Sequence, residues 1–146
     1  MVLFHQPGKK IMRRRRHPEW IKVKAPGSPN YLRLKRILRE KNLHTVCEEA
    51  RCPNIGECWS NKTATFLILG DTCTRGCRFC AIDKGKPLAL DPEEPRNVAL
   101  VVKDLGLDHI VVTSVNRDDL PDGGSSHFAR TVFWIKSLSP GIRVEL

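Results

Sequence analysis

Three short and nearly uninterrupted apolar runs constrain this chain most: "ATFLILGD" from Ala64, "HIVVTSV" from His109 and "IRVEL" from Ile142. Continuous apolar runs of this length suit strands buried on both faces. Between the first two lies "DPEEPRNVALVVKDLG", which has helical period. Asp91 reads as its cap, Pro92 as its first residue and Glu94 as the partner in a capping box. Val98, Ala99, Val101, Val102 and Leu105 would face a core, and Gly106 would end the helix. Between the second and third runs, "SSHFARTVFWIKSLSPG" reads as another helix. Strand, helix, strand, helix, strand implies an α/β fold with right-handed crossovers and a parallel sheet. Chemistry in such sheets sits at the carboxyl ends of the strands, here the loops Asp71–Cys80 and Asn116–Gly124. Neither GxGxxG nor GxxxxGK[ST] occurs, so no dinucleotide or P-loop site is indicated. The last run ends at Leu146 without a covering helix, so an open apolar edge and a domain cut in half are expected.

The first of those loops carries "CTRGCRFC", three cysteines at CxxxCxxC spacing: Cys73, Cys77 and Cys80. The other three cysteines of the chain stand upstream in "CEEARCPNIGEC", as Cys47, Cys52 and Cys58. Disulfides are an unfavourable reading, because no apolar leader or cleavage site marks export and cytosolic disulfides are rare. Buried structural cysteine fits poorly with three thiols interleaved with Arg75, Gly76 and Arg78. Structural zinc usually closes four ligands from CxxC pairs or from Cys with His, and neither group offers that set. An iron–sulfur cubane suits the second group best, since closely spaced thiolates on a turning loop can each take one iron. Three thiolates leave the fourth iron open, and an open metal position is a place for chemistry.

Upstream, "NYLRLKRILREKN" reads as a helix with Asn30 as its cap, and the first cysteine group, broken by Pro53 and Gly56, as an ordered loop. The formal charge of +9 is concentrated at the start: residues 1–24 hold eight of the 25 Lys and Arg and only one of the 16 acids. This basic arm has no accompanying nucleic-acid motif, so an acidic protein partner is the better expectation. The arm is Arg-rich but poor in serine, which supports organellar import only weakly. "NKT" at Asn61 matches a glycosylation sequon that has no meaning without secretion. No apolar run approaches the roughly 18 residues of a membrane span. A cytoplasmic protein is expected.

CxxxC-aromatic-xC after a first strand, with Phe79 as the aromatic, resembles the signature of the radical S-adenosylmethionine enzymes. The preceding CxxxxCxxxxxC group in "HTVCEEARCPNIGECW", together with "VNRDDLPDGG" downstream, resembles the lipoyl synthase family within that superfamily. The resemblance runs from Trp20 over nearly the whole remaining chain.

It implies a partial (β/α) barrel, truncated after about three strands, over residues 64–146. Residues 1–63 would then be a basic arm, a helix and an auxiliary-cluster loop. By resemblance, Cys73, Cys77 and Cys80 hold a [4Fe–4S] cluster whose open iron chelates S-adenosylmethionine, with Phe79 beside the cofactor. Asn116 and Arg117 are candidates for its polar and carboxylate groups, although the same loop also reads as a charged turn leading into a helix. Cys47, Cys52 and Cys58 match the ligands of a second, sacrificial [4Fe–4S] cluster. The implied reaction is sulfur insertion at C6 and C8 of an octanoyl group on a lipoyl carrier domain. It is driven by a 5′-deoxyadenosyl radical, with an electron donor such as a ferredoxin or flavodoxin. The cofactors carry that reactivity, so no separate acid or base is assigned. The family's fourth auxiliary ligand, a serine in an Arg-Ser-Ser-Tyr motif near the C-terminus, has no counterpart here. The one paired serine lies in "GGSSH", and the family's barrel has about twice as many strand–helix units. The contrasting alternative is a non-catalytic iron–sulfur or zinc-binding module.

Overall fold

The computed structural model describes residues 18–107 and 109–146. Most of the basic arm, residues 1–17, lies outside the described residues. The first helix, α1 (Pro29–Glu40), begins two residues earlier than a cap at Asn30 implies. Ser28 caps it, its Oγ accepting the Tyr31 N–H at 3.2 Å, and Pro29 occupies the first turn. A proline there needs no N–H partner and arrives with helical φ. Asn30, expected as the cap, instead donates from Nδ2 to Ser60 O at 2.8 Å and ties α1 to a later helix.

A two-residue strand, β1 (His44–Thr45), follows and leads directly into α2 (Val46–Glu49). Thr45 Oγ1 caps α2 by accepting the Glu48 N–H at 3.2 Å. After a turn with Arg51 at φ 52°, the chain forms α3 (Ile55–Ser60). The first cysteine group is therefore two short helices and their joint, where a single ordered loop was expected. Gly56 lets the incoming chain cross α3, because a Cβ there would run into the Lys24 carbonyl and lie 3.0 Å from Pro26 N.

The three apolar runs are strands as expected: β2 (Thr65–Ile68), β5 (His109–Ser114) and β6 (Arg143–Glu145). Between β2 and β5 lie the short strands β3 (Thr72–Cys73) and β4 (Asp83–Lys84) and the helix α4 (Glu94–Leu105); α5 (Ser125–Leu138) joins β5 to β6. The main sheet has the order β1-β2-β5-β6. β2, β5 and β6 are parallel, with Phe66 opposite Val112 and Ile110 opposite Val144, whereas β1 runs antiparallel to β2. β1 covers one edge of the sheet, and among the described residues β6 has no second neighbour.

Helix α4 ends at Gly106 in the left-handed conformation (φ 61°), as the sequence suggests. Its start differs. Asp91 and Pro92 belong to a turn in which Asp91 Oδ1 accepts the Glu93 N–H at 2.9 Å, and the helix begins at Glu94 with Pro95 in its first turn. Glu94 makes no capping box; its carboxylate is buried against α5 and the end of β2. Helices α4 and α5 pack together, and Val98, Ala99, Val101, Val102 and Ile135 join Phe66, Leu67, Ile68, Ile110 and Val112 in one core. Leu34, Leu38 and the fully buried Trp59 extend that core under the first cysteine group, with the Tyr31 and Trp59 rings 5.0 Å apart. No helix among the described residues is long and apolar enough to cross a membrane.

Candidate iron–sulfur and cofactor site

The second cysteine group leaves the sheet immediately after β2. Its neck is closed by the small parallel pair β3–β4, which sets Thr72 opposite Asp83 and Cys73 opposite Lys84. Gly85 N–H adds a bond to Cys73 O at 3.1 Å. Residues 74–82 are therefore a loop held at both ends, on which Cys73 and Cys80 are half-buried and Cys77 is exposed. A backbone bond from Cys80 N–H to Cys77 O, 3.2 Å, tightens the turn between the last two thiols. Phe79, between them in sequence, is 94% exposed.

The loop after β5 meets this one. Asn116 N–H points at Cys73 Sγ (3.3 Å), and Arg75 N–H reaches the same sulfur at 3.4 Å. Two backbone N–H groups from different loops thus fix the position of this one sulfur. Thr74 N–H bonds to Asn116 O at 3.0 Å, and Thr74 Oγ1 lies 2.7 Å from Asp118 Oδ2. Asp118 also receives Arg75 twice, from Nε at 3.0 Å and from Nη2 at 2.7 Å. The Arg75 and Thr74 hydrogen bonds hold the Asp118 carboxyl down at about 2. Both expected site loops are thus joined at the carboxyl ends of β2 and β5, with Asn116 exposed at their meeting point.

Arg117 is placed differently from Asn116. Only 3% exposed, it donates from Nε and Nη2 to Asp119 (2.9 and 2.8 Å), from Nη1 to Leu69 O (3.0 Å) and from Nη2 to Leu88 O (3.0 Å). Four of its five N–H donors are therefore committed inside the protein. In this structure its guanidinium ties the β5 loop to the end of β2 and to the segment after the cysteine loop. Asp122, which sequence reasoning passed over, ends the same loop. Its carboxylate accepts Gly124 N–H (2.9 Å) and Ser126 N–H (3.0 Å) at the start of α5, and its pKa is strongly lowered, first by the Ser126 side chain and then by the Ser126 and Gly124 N–H groups. A D-x-G-S pattern before a helix would have been the signal for it.

The first group also converges. Burial raises the Cys58 thiol most, and neighbouring Cys47, Cys52 and Glu57 push it further in the same direction. Cys52 N–H bonds to Cys47 O at 3.0 Å, and Ile55 N–H to Cys52 O at 3.3 Å, so the backbone turns tightly between α2 and α3. Arg39 reaches over to Glu48 at 3.1 Å. Among the described residues no three His, Cys, Asp or Glu side chains are grouped around a single metal-ion position in this conformation.

The model of the "Radical SAM superfamily" matches residues 67–146, and that of the "N-terminal domain of lipoyl synthase of Radical_SAM family" matches residues 5–52. The chain belongs to the radical SAM superfamily. Within it, the chain corresponds to the amino-terminal portion of the lipoyl synthases. It is 60% identical over 141 residues to lipoyl synthase of Chloroflexus aurantiacus (strain J-10-fl), covering 97% of this chain and 46% of the relative. Lipoyl synthases of Chloroflexus aggregans and Roseiflexus sp. (strain RS-1) are 62% and 61% identical over 133 residues, each covering 91% of this chain and 44% of the relative. The chain spans about half the length of the curated relatives it matches.

Proposed function

We propose that this chain supplies the cluster-binding part of a lipoyl synthase, an enzyme that inserts sulfur at C6 and C8 of an octanoyl group on a lipoyl carrier protein. In this reading Cys73, Cys77 and Cys80 hold a [4Fe–4S] cluster that takes S-adenosylmethionine at its open iron. Residues 64–146 are the first part of a (β/α) barrel, and residues 1–63 carry Cys47, Cys52 and Cys58 as ligands of a second cluster. When bound, the first cluster supplies the electron that cleaves the sulfonium to a hydrogen-abstracting radical, and the second supplies sulfur.

The observation that carries the reading is the meeting of the two loops at Cys73, whose sulfur accepts N–H groups from Arg75 and Asn116. Such bonds to a ligand sulfur tune a cluster's potential. What supports cluster binding is the donor set: Cys73 Sγ receives two backbone N–H groups, Cys77 is exposed, and Cys80 lies one hydrogen-bonded turn away. Asn116 and Phe79 are the side chains that would border the cofactor, since both are exposed, Phe79 within the thiols' loop and Asn116 where the two loops meet. Arg117 and Asp118 act on the loops themselves, Arg117 from below and Asp118 by holding Arg75. A cytoplasmic setting with an octanoylated carrier domain and a low-potential electron donor such as a ferredoxin or flavodoxin completes the reading.

Anaerobic reconstitution with iron and sulfide tests it. Two cubanes correspond to about eight irons per chain, falling to about four when either triplet is replaced by alanines. Zinc with little iron would contradict the proposal and favour a structural metal module.

A further inference from the structure

Leu69 closes the first apolar run, four residues before Cys73, and its backbone is left-handed (φ 70°). A leucine rarely adopts that conformation, and it persists only where the surroundings over-determine it. Three contacts do so here. From α4, the Glu94 carboxylate accepts the Leu69 N–H at 2.9 Å. From the loop after β5, Arg117 Nη1 donates to the Leu69 carbonyl at 3.0 Å. The Leu69 side chain, fully buried, lies over Gly124, where a Cβ would overlap Cδ1 and lie 3.1 Å from Cδ2. Gly124 itself sits at φ 93°, so its lack of a side chain is required twice over.

Each clamp is anchored in turn. Glu94 and His127 are both 4% exposed, with His127 Nε2 2.6 Å from Glu94 Oε2. Arg117 is fixed by Asp119 and also holds Leu88 O, beyond the far end of the cysteine loop. The left-handed turn at Leu69, continued by Gly70 at φ 94°, takes the chain out of the main sheet and into β3. Relaxed into the extended region, the same residues would prolong β2 and re-aim everything that follows.

We infer that Glu94, Arg117 and Gly124 are positioning residues that lock Leu69 in its left-handed turn, and thereby aim the Cys73–Cys80 loop at Asn116. This rests on the reading that the loop holds a cluster that binds S-adenosylmethionine. The lock couples the loop's direction to α4, to α5 and to the β5 loop. The same residues that join α4 to α5 therefore set the geometry of the site.

The test uses the whole chain, reconstituted anaerobically, with S-adenosylmethionine added as the probe. Glu94→Ala and Gly124→Ala should still fold cooperatively and keep their iron, with a lowered melting temperature, because the first leaves the buried Leu69 N–H and His127 without their partner and the second adds an overlap with Leu69. The concentration of S-adenosylmethionine needed to change the reduced cluster's EPR spectrum should rise about tenfold or more. Glu94→Gln should behave as the parent, because its amide oxygen still accepts the Leu69 N–H. Leu69→Gly should restore the S-adenosylmethionine response of Gly124→Ala in part, removing the overlap and the strain at position 69 while the positive φ at position 124 stays unfavourable for alanine. Parent-like titration of Glu94→Ala and Gly124→Ala would overturn the inference, as would failure of Leu69→Gly to rescue.

A second readout needs no cluster. In the metal-free chain, alkylation of Cys73 should speed up at least about threefold in Glu94→Ala and Gly124→Ala, with Cys47, Cys52 and Cys58 unchanged. Unchanged Cys73 rates, or a rise at all six cysteines together, would overturn the inference. If the parent chain's spectrum does not respond to S-adenosylmethionine, the functional reading fails, while the alkylation pattern still decides the positioning role.

Discussion

Asn116 N–H points at the sulfur of Cys73 from 3.3 Å, across 43 positions of sequence. That contact joins the loop that carries three thiols to the loop that follows the neighbouring parallel strand. Nothing local to either segment produces it. It follows from the pairing of β2 with β5, which brings their carboxyl ends to one side. The site is a property of the sheet, and the cysteines occupy the place the sheet provides.

The Arg75–Asp118 pair tightens the same junction and has a defined pH dependence. Asp118 titrates at about 2 in the folded chain, below the ordinary 3.8. A depressed carboxylate contributes fully above its unfolded value, and the contribution is lost as pH falls through the folded one. The link should therefore hold at neutral pH and fail between about pH 4 and pH 2. Carboxyl-carbon NMR of Asp118 checks this. Arg75→Gln should move the midpoint up toward the ordinary value, and an unmoved midpoint would show that the pair does not set it.

Reactivity should separate the cysteines of the metal-free chain. Burial and neighbouring Cys47, Cys52 and Glu57 raise the Cys58 pKa, so less of it is thiolate at mildly alkaline pH. Cys58 should react with iodoacetamide more slowly than the exposed Cys77. Glu57→Gln should speed it modestly, and mass spectrometry at several pH values would read both effects.

The packing under the first triplet is the part most exposed to core mutations. Trp59 is fully buried next to Cys58 and stacks near Tyr31. Trp59→Ala should cost about 3–5 kcal/mol of stability, as large-to-small core changes do. Its Nε1 is the only buried side-chain nitrogen or oxygen without a hydrogen-bond partner among the described residues. Trp59→Phe should therefore cost about 1 kcal/mol or less, because lost volume is offset by removal of an unsatisfied donor. Denaturant titration of the two variants would compare them directly.

Sequence patterning revealed the alternating strands and helices from Ala64 onward, because each is long enough for its period to show. It also placed both site loops at the strand ends. It missed β1, since two residues, His44 and Thr45, carry no alternation, and it missed α2 and α3, each under two turns long. The misplaced caps have a common cause. Asn30 and Glu94 have the chemistry of caps, but distant partners recruited them: Ser60 O for Asn30, and Leu69 N–H with His127 for Glu94. Arg117 likewise looked like a surface cation in "NRDD", and only the fold shows that Leu69, Leu88 and Asp119 consume its donors. Thiol groupings are legible in sequence because ligand spacing is local; bracing residues are not, because their partners lie tens of positions away.

The most direct test of the central claim is EPR of the reduced, anaerobically reconstituted chain before and after addition of S-adenosylmethionine, with the Cys73→Ala variant alongside. The account predicts a [4Fe–4S] signal that changes on addition of S-adenosylmethionine, and loss of that responsive signal in Cys73→Ala while a second, unresponsive cluster signal remains. A chain whose iron signal ignores S-adenosylmethionine, or whose responsive signal survives Cys73→Ala, would contradict it.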